Sequence, residues 1–215
     1  MTSNDHAAAQ GEALLRSYAS AVEDAHADLT RMDRLAGDGD FGDNLRAGMR
    51  LVVRRLDAGA GTAALQTAAD VFLDEVGGTS GPLFGLLFSE LARAAAAQPD
   101  PTSAWREGLA AGLSAIQRVG EAEPGDRTLV DALAPAVDAL AGGTLADAAT
   151  AAVDGARATA SLRARRGRAS YVGDRGAGVM DPGAVAVAVL LLVAARELEP
   201  GAAGQLIGPD ALTAG

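Results

Sequence analysis

Apolar residues early in the chain return every three or four positions. From Gly11 the series Leu14, Leu15, Tyr18, Val22, Ala25, Leu29 and Met32 forms one stripe of an amphipathic helix, because that spacing follows the 3.6-residue turn. The helix is expected to end near Met32. Similar patterns predict helices at about 42–58, 62–76, 81–98, 102–120, 127–141, 145–166 and 182–198, divided by the breaks "GAGT", "QPDPTS", "EAEPGD" and "AGGT", which carry glycine or proline. That makes about eight helices and an all-α chain.

The run "AVAVAVLLLVAA" alternates at first as a strand would. Twelve apolar residues exceed a usual strand, and "DPG" offers Asp181 as N-cap with Pro182 at the first helical position. A buried central helix is therefore expected. The packed unit is read as one domain over residues 11–200, with 1–10 and 201–215 expected to be disordered termini.

Composition narrows the chemistry. Of 215 residues, 49% are apolar but only 3% aromatic, which suits closely packed helices rich in Ala, Leu and Val. A net charge of -10 argues against nucleic acid and anionic membrane as partners, since both would be repelled. No membrane span or signal peptide is evident, so a cytoplasmic location is expected. There is no Cys and no Lys, and only His6 and His26 carry imidazole. Disulfides, thiolate metal sites, a Walker A lysine and a Schiff base are thereby excluded. Any metal would be held by oxygen.

Four stretches stand out. In "DRLAGDGDFGDN" the carboxylates Asp33, Asp38, Asp40 and Asp43 crowd onto glycine-rich backbone, where like charges repel unless a hard cation such as Mg²⁺ joins them. An EF-hand would need Glu at the twelfth position from Asp38, which is Met49; the alternative is a solvated turn in which one Asp caps the next helix. "GGTSGP", Gly77–Pro82, is either a helix stop followed by a Ser cap or an anion site at a helix N-terminus. "GEAEPGDRTLVDAL" is a loop with Asp126 as N-cap or one wall of a nucleotide pocket. "LRARRGRASYVGDRGAG" places Arg163, Arg165, Arg166 and Arg168 together, as a dipole complement or as phosphate ligands.

In this order the stretches resemble the nucleotide-binding L subunit of dihydroxyacetone kinase, a unit also found as the C-terminal domain of single-chain dihydroxyacetone kinases. The carrying motifs are "D-x3-GDGD-x-G", "GGTSGP", "GDRTLVDALAP" and "GRASY-x-G…DPGA". The resemblance implies an antiparallel barrel of eight helices with a nucleotide site at one end. It implies that Asp33, Asp38 and Asp40 bind two Mg²⁺ ions that bridge the phosphates of ADP or ATP. Phe41, Gly42, Asp43, Asn44, Thr79, Ser80, Gly120, Leu129, Arg168, Asp181, Pro182 and Gly183 would line the nucleotide. Phe41 stands where the family often has His, and Leu129 where it often has Met.

The implied activity is phosphoryl transfer to dihydroxyacetone, or a related short ketose, held covalently by a His of a separate K subunit. The chain itself would carry no catalytic residue and would act only with that partner. The phosphoryl source is ATP, or a phosphohistidine protein of the sugar phosphotransferase system that recharges bound ADP. The competing reading is a noncatalytic nucleotide-binding regulatory or structural module, or the nucleotide domain of another kinase such as a fatty acid kinase.

Overall fold

A computed structural model describes residues 3–59, 63–166 and 176–213. Nine α-helices and no strand occur among them: α1 (Ser3–Ala36), α2 (Phe41–Asp57), α3 (Ala64–Asp74), α4 (Ser80–Ala97), α5 (Pro101–Gly120), α6 (Val130–Leu140), α7 (Leu145–Ala158), α8 (Pro182–Leu198) and α9 (Pro209–Thr213). The first eight correspond to the eight periodic segments. Helix α1 begins at Ser3 rather than Gly11, inside the stretch expected to be a disordered terminus, and three further boundaries differ, each for a local reason.

Helix α1 runs one turn past Met32 to Ala36, ending where the Gly37 N–H donates to the Asp33 carbonyl. Helix α6 starts at Val130 rather than 127, because Arg127 takes a left-handed φ of 60° that no helix tolerates. Helix α7 stops at Ala158 and one 3₁₀ turn, Thr159–Ser161, follows, since "LRARRGR" offers no apolar stripe to continue it. The tail beyond Pro200 carries a 3₁₀ turn at Ala203–Gln205 and α9, with Leu212 buried. Arg196 fastens this tail by donating to the carbonyls of Leu206 and Ile207.

Each long helix packs on its neighbour in sequence, from α1 on α2 through α7 on α8, and α8 returns to α1. Every residue of α8 from Pro182 to Ala195 is buried, as its uninterrupted apolar run requires. Close approach elsewhere depends on small residues. A Cβ at Gly108 would lie 2.9 Å from the Leu91 Cα, and one at Gly112 2.7 Å from the Leu87 side chain, so α4 and α5 meet almost backbone to backbone. Four aromatic rings gather in one place: Phe72 packs on Phe84 and Phe88, and Phe88 meets Tyr18 edge-on at 6.5 Å.

Candidate functional site

Neighbouring helices alternate in direction, and this brings chemistry to one end of the molecule. A cavity of about 300 Å³ is walled there by the N-termini of α2 (Asp40, Phe41, Asn44), α4 (Thr79, Ser80), α6 (Leu129, Val130) and α8 (Asp181, Pro182, Gly183). The C-terminal ends of α1 and α5 contribute Asp33, Ile116 and Gly120. A helix N-terminus carries about half a positive charge, although the first N–H groups of α6 and those of Phe41 and Ala184 are already bonded within the chain. Neither Asp40 ahead of α2 nor Thr79 ahead of α4 makes a side-chain cap bond, so those two termini keep donors for an anion.

Asp33 is buried, and its Oδ2 accepts the Phe41 N–H at 3.0 Å. Asp38 and Asp40 are exposed on the same wall, with the Asp40 N–H directed at Asp38 Oδ1 at 3.4 Å. Burial, then the neighbouring Asp38 charge, holds the Asp33 carboxyl above its usual range against the opposing Phe41 N–H. No Arg forms an ion pair with Asp33 among the described residues. Those residues include no group of three or more His, Asp or Glu arranged to hold a metal ion alone. The donor set nevertheless fits Mg²⁺, which is ordinarily held by one or two carboxylates together with phosphate oxygens and water.

The other wall is built from the loop between α5 and α6. Asp131 Oδ1 accepts the Gly125 N–H and Oδ2 accepts the Thr128 N–H at 2.8 Å, pinning the loop from both sides. Asp126, expected as an N-cap, turns back instead and accepts the Glu123 N–H at 3.0 Å. Its backbone carbonyl accepts the Arg165 N–H at 3.1 Å, which ties the arginine-bearing segment to this loop. Arg166 reaches the cavity wall and lies 3.5 Å from Asp126.

At α8 the N-cap expected of "DPG" is present, and the turn lies on the cavity wall. Asp181 Oδ1 accepts the Ala184 N–H at 2.7 Å, and the Asp181 N–H donates to the buried Thr159 hydroxyl at 2.8 Å. Desolvation pushes the Asp181 carboxyl up to about 7, against the Ala184 N–H and the Arg127 charge. Gly183 leaves room for Leu129: a Cβ there would lie 3.3 Å from the Leu129 Cβ.

The cavity thus gathers Asp33, Asp38, Asp40, Phe41, Asn44, Thr79, Ser80, Gly120, Leu129, Asp181, Pro182 and Gly183. Two expected residues are not part of its wall. Gly42 faces α1, where a Cβ would lie 2.8 Å from the Thr30 N. Asp43 is exposed, bonded to His26 Nε2 at 2.7 Å and to Arg46 at 2.9 Å. Arg168 lies outside the described residues. Phe41, where a His was the common alternative, is buried and packs on Phe84 at 6.3 Å. Sequence reasoning missed Arg127 and Asp131, which are buried; their one visible signal was a charged pair inside "GDRTLVD".

Comparison with known proteins adds four findings. The chain is 36% identical to the ADP-binding subunit DhaL of the PEP-dependent dihydroxyacetone kinase of Escherichia coli, over 79% of this chain and 88% of that one. It is 37% identical to L-erythrulose 1-kinase of Mycolicibacterium smegmatis, covering 83% of this chain but only 34% of that longer protein. The dihydroxyacetone kinase of C. freundii, solved with AMP-PNP and Mg²⁺, superposes with a TM-score of 0.68 at 26% identity, over 87% of this chain and 34% of that chain. Residues 35–196 match the model of the DAK2 domain, and the chain belongs to the DAK2 domain family, alongside the DhaL subunits of dihydroxyacetone kinases.

Proposed function

We propose that this chain is the ADP- or ATP-binding subunit of a dihydroxyacetone kinase, transferring a phosphoryl group to dihydroxyacetone or a related short ketose on a separate K subunit. The observation that carries this reading is the convergence of four helix N-termini with Asp33, Asp38 and Asp40 on one cavity. Such a wall offers amide donors and dipoles to phosphate oxygens, and carboxylates to a cation accompanying them. The apolar side chains of Leu83, Ile116, Leu129 and Val130 suit the base and ribose.

In this reading Asp33, Asp38 and Asp40 hold up to two Mg²⁺ ions. When bound, magnesium supplies neutralisation of the charge on the phosphates. The chain's own groups orient. Thr79 and Ser80, at an uncapped N-terminus, direct hydroxyls and amides at the phosphate chain, while the Asp181–Gly183 turn borders the opposite side. Phosphoryl transfer needs positioning and charge complementarity more than covalent help from protein.

The test is reconstitution. The chain, a cognate K subunit, Mg²⁺ and ATP should phosphorylate dihydroxyacetone. Replacing ATP with a phosphohistidine phosphotransferase protein distinguishes the two phosphoryl sources. Nucleotide binding without turnover under both conditions would instead favour a noncatalytic regulatory module.

A further inference from the structure

Arg127 is only 3% exposed, yet it lines the cavity. Its backbone sits at φ 60°, a conformation costing a side-chain-bearing residue about 1 kcal/mol or more. The bracing of Gly125 and Thr128 by Asp131 holds it there. Its Nη2 donates to the carbonyls of Gly176 at 2.6 Å and Val179 at 2.7 Å. Its Nε is buried with no hydrogen-bond partner among the described residues.

A clamp on two carbonyls explains Nη2 but not the charge. No carboxylate ion-pairs with this guanidinium among the described residues; the Asp181 carboxyl acts on its charge only beyond ion-pair distance. A buried cation bonded only to neutral groups, with a donor unmatched, is costly unless an anion completes it. The helix N-termini of the same cavity add positive potential beside it, while Asp33, Asp38 and Asp40 on the wall call for a cation, so the ligand suited to this wall is a polyanion that arrives with a divalent cation.

We propose that Arg127 is an anion-recognition residue of the cavity, engaging the phosphate chain of the bound nucleotide as well as holding the wall in place. This rests on the nucleotide reading above. The assignment extends the phosphate-binding surface from the Thr79–Ser80 side to the α5–α6 loop, so the phosphates would be gripped from opposite walls.

The experiment is calorimetric titration with ADP plus Mg²⁺ and, separately, with adenosine, for the parent chain, Arg127→Lys and Arg127→Met. A lost charged hydrogen bond predicts that Arg127→Met weakens ADP about ten- to a hundredfold and leaves adenosine unchanged. Arg127→Lys, a point charge without the fork, should fall between. Equal loss for both ligands, or no loss for either, reduces Arg127 to a clamp and overturns the proposal. If Arg127→Met does not fold, the ratio of ADP to adenosine loss in Arg127→Lys decides in the same way. A parent chain that binds no ADP removes the nucleotide reading, and this inference with it, whatever the variants do.

Discussion

The carboxylate of Asp33 accepts the backbone N–H of Phe41 at 3.0 Å, so the last turn of α1 and the first residue of α2 move as one piece. The bond occupies one carboxylate oxygen, sets the turn that carries Asp38 and Asp40, and brings Phe41 against Phe84. A structural role and a proposed metal-binding role therefore share one side chain.

Two substitutions separate them. Asp33→Asn keeps an acceptor for the Phe41 N–H and removes repulsion with Asp38, so its melting temperature should equal or slightly exceed the parent's. Asp33→Ala strands that N–H and should lose about 1–3 kcal/mol. Both should abolish Mg²⁺-dependent ADP binding, as should Asp38→Ala, with helical content intact by circular dichroism. Unchanged ADP affinity in all three would contradict the assignment.

Asp181 makes stability depend on pH. Its carboxyl is pushed from the ordinary 3.8 up to about 7 by desolvation, with Asp131 and Asp33 adding to the rise and Arg127 opposing it. Between these values the native state binds a proton that the unfolded chain has released. This contribution is therefore complete below about 4 and is lost as pH rises through about 7. Asp181→Asn retains an acceptor for the Ala184 N–H, so its melting temperature should vary less than the parent's between pH 4.5 and 7.5. Parallel profiles would show that Asp181 does not carry the effect.

Gly42 serves packing. A Cβ at this position would meet the Thr30 hydroxyl and backbone nitrogen and lie 3.1 Å from the His26 carbonyl. Helix α2 cannot yield without tilting from α1, so Gly42→Ala should cost about 1–3 kcal/mol in chemical denaturation. Wild-type stability in that variant would mean the helices separate freely.

Glu199 offers a control remote from the cavity. Its carboxylate accepts the Thr102 hydroxyl from α5 and the Leu145 N–H at the start of α7, both at the C-terminal end of α8. Glu199→Ala should lower stability by about 1–3 kcal/mol while ADP affinity stays within twofold of the parent's. A large affinity loss would reveal coupling between the two ends of the molecule.

Much of the helical framework was readable from the chain alone, because burial of one face per helix imposes a three-to-four-residue rhythm that is local. The same holds for Asp181: an Asp-Pro pair before an apolar run announces a helix start through its own backbone chemistry. The family motifs, too, are contiguous strings.

Other features depended on distance through space. Asp43 and Asn44 are neighbours in sequence, yet a helix turn sends one outward to His26 and Arg46 and the other to the cavity. Arg127 and Asp131 resemble surface charges in the sequence; the partners of Arg127, Gly176 and Val179, lie about fifty residues away, and Asp131 is buried because the loop folds back on it through Gly125 and Thr128. Local pattern determined which segments would be helices and where charge would cluster. The tertiary structure decided which charges face one another, because alternating helix direction, absent from any short stretch, is what delivers four N-termini to a single cavity.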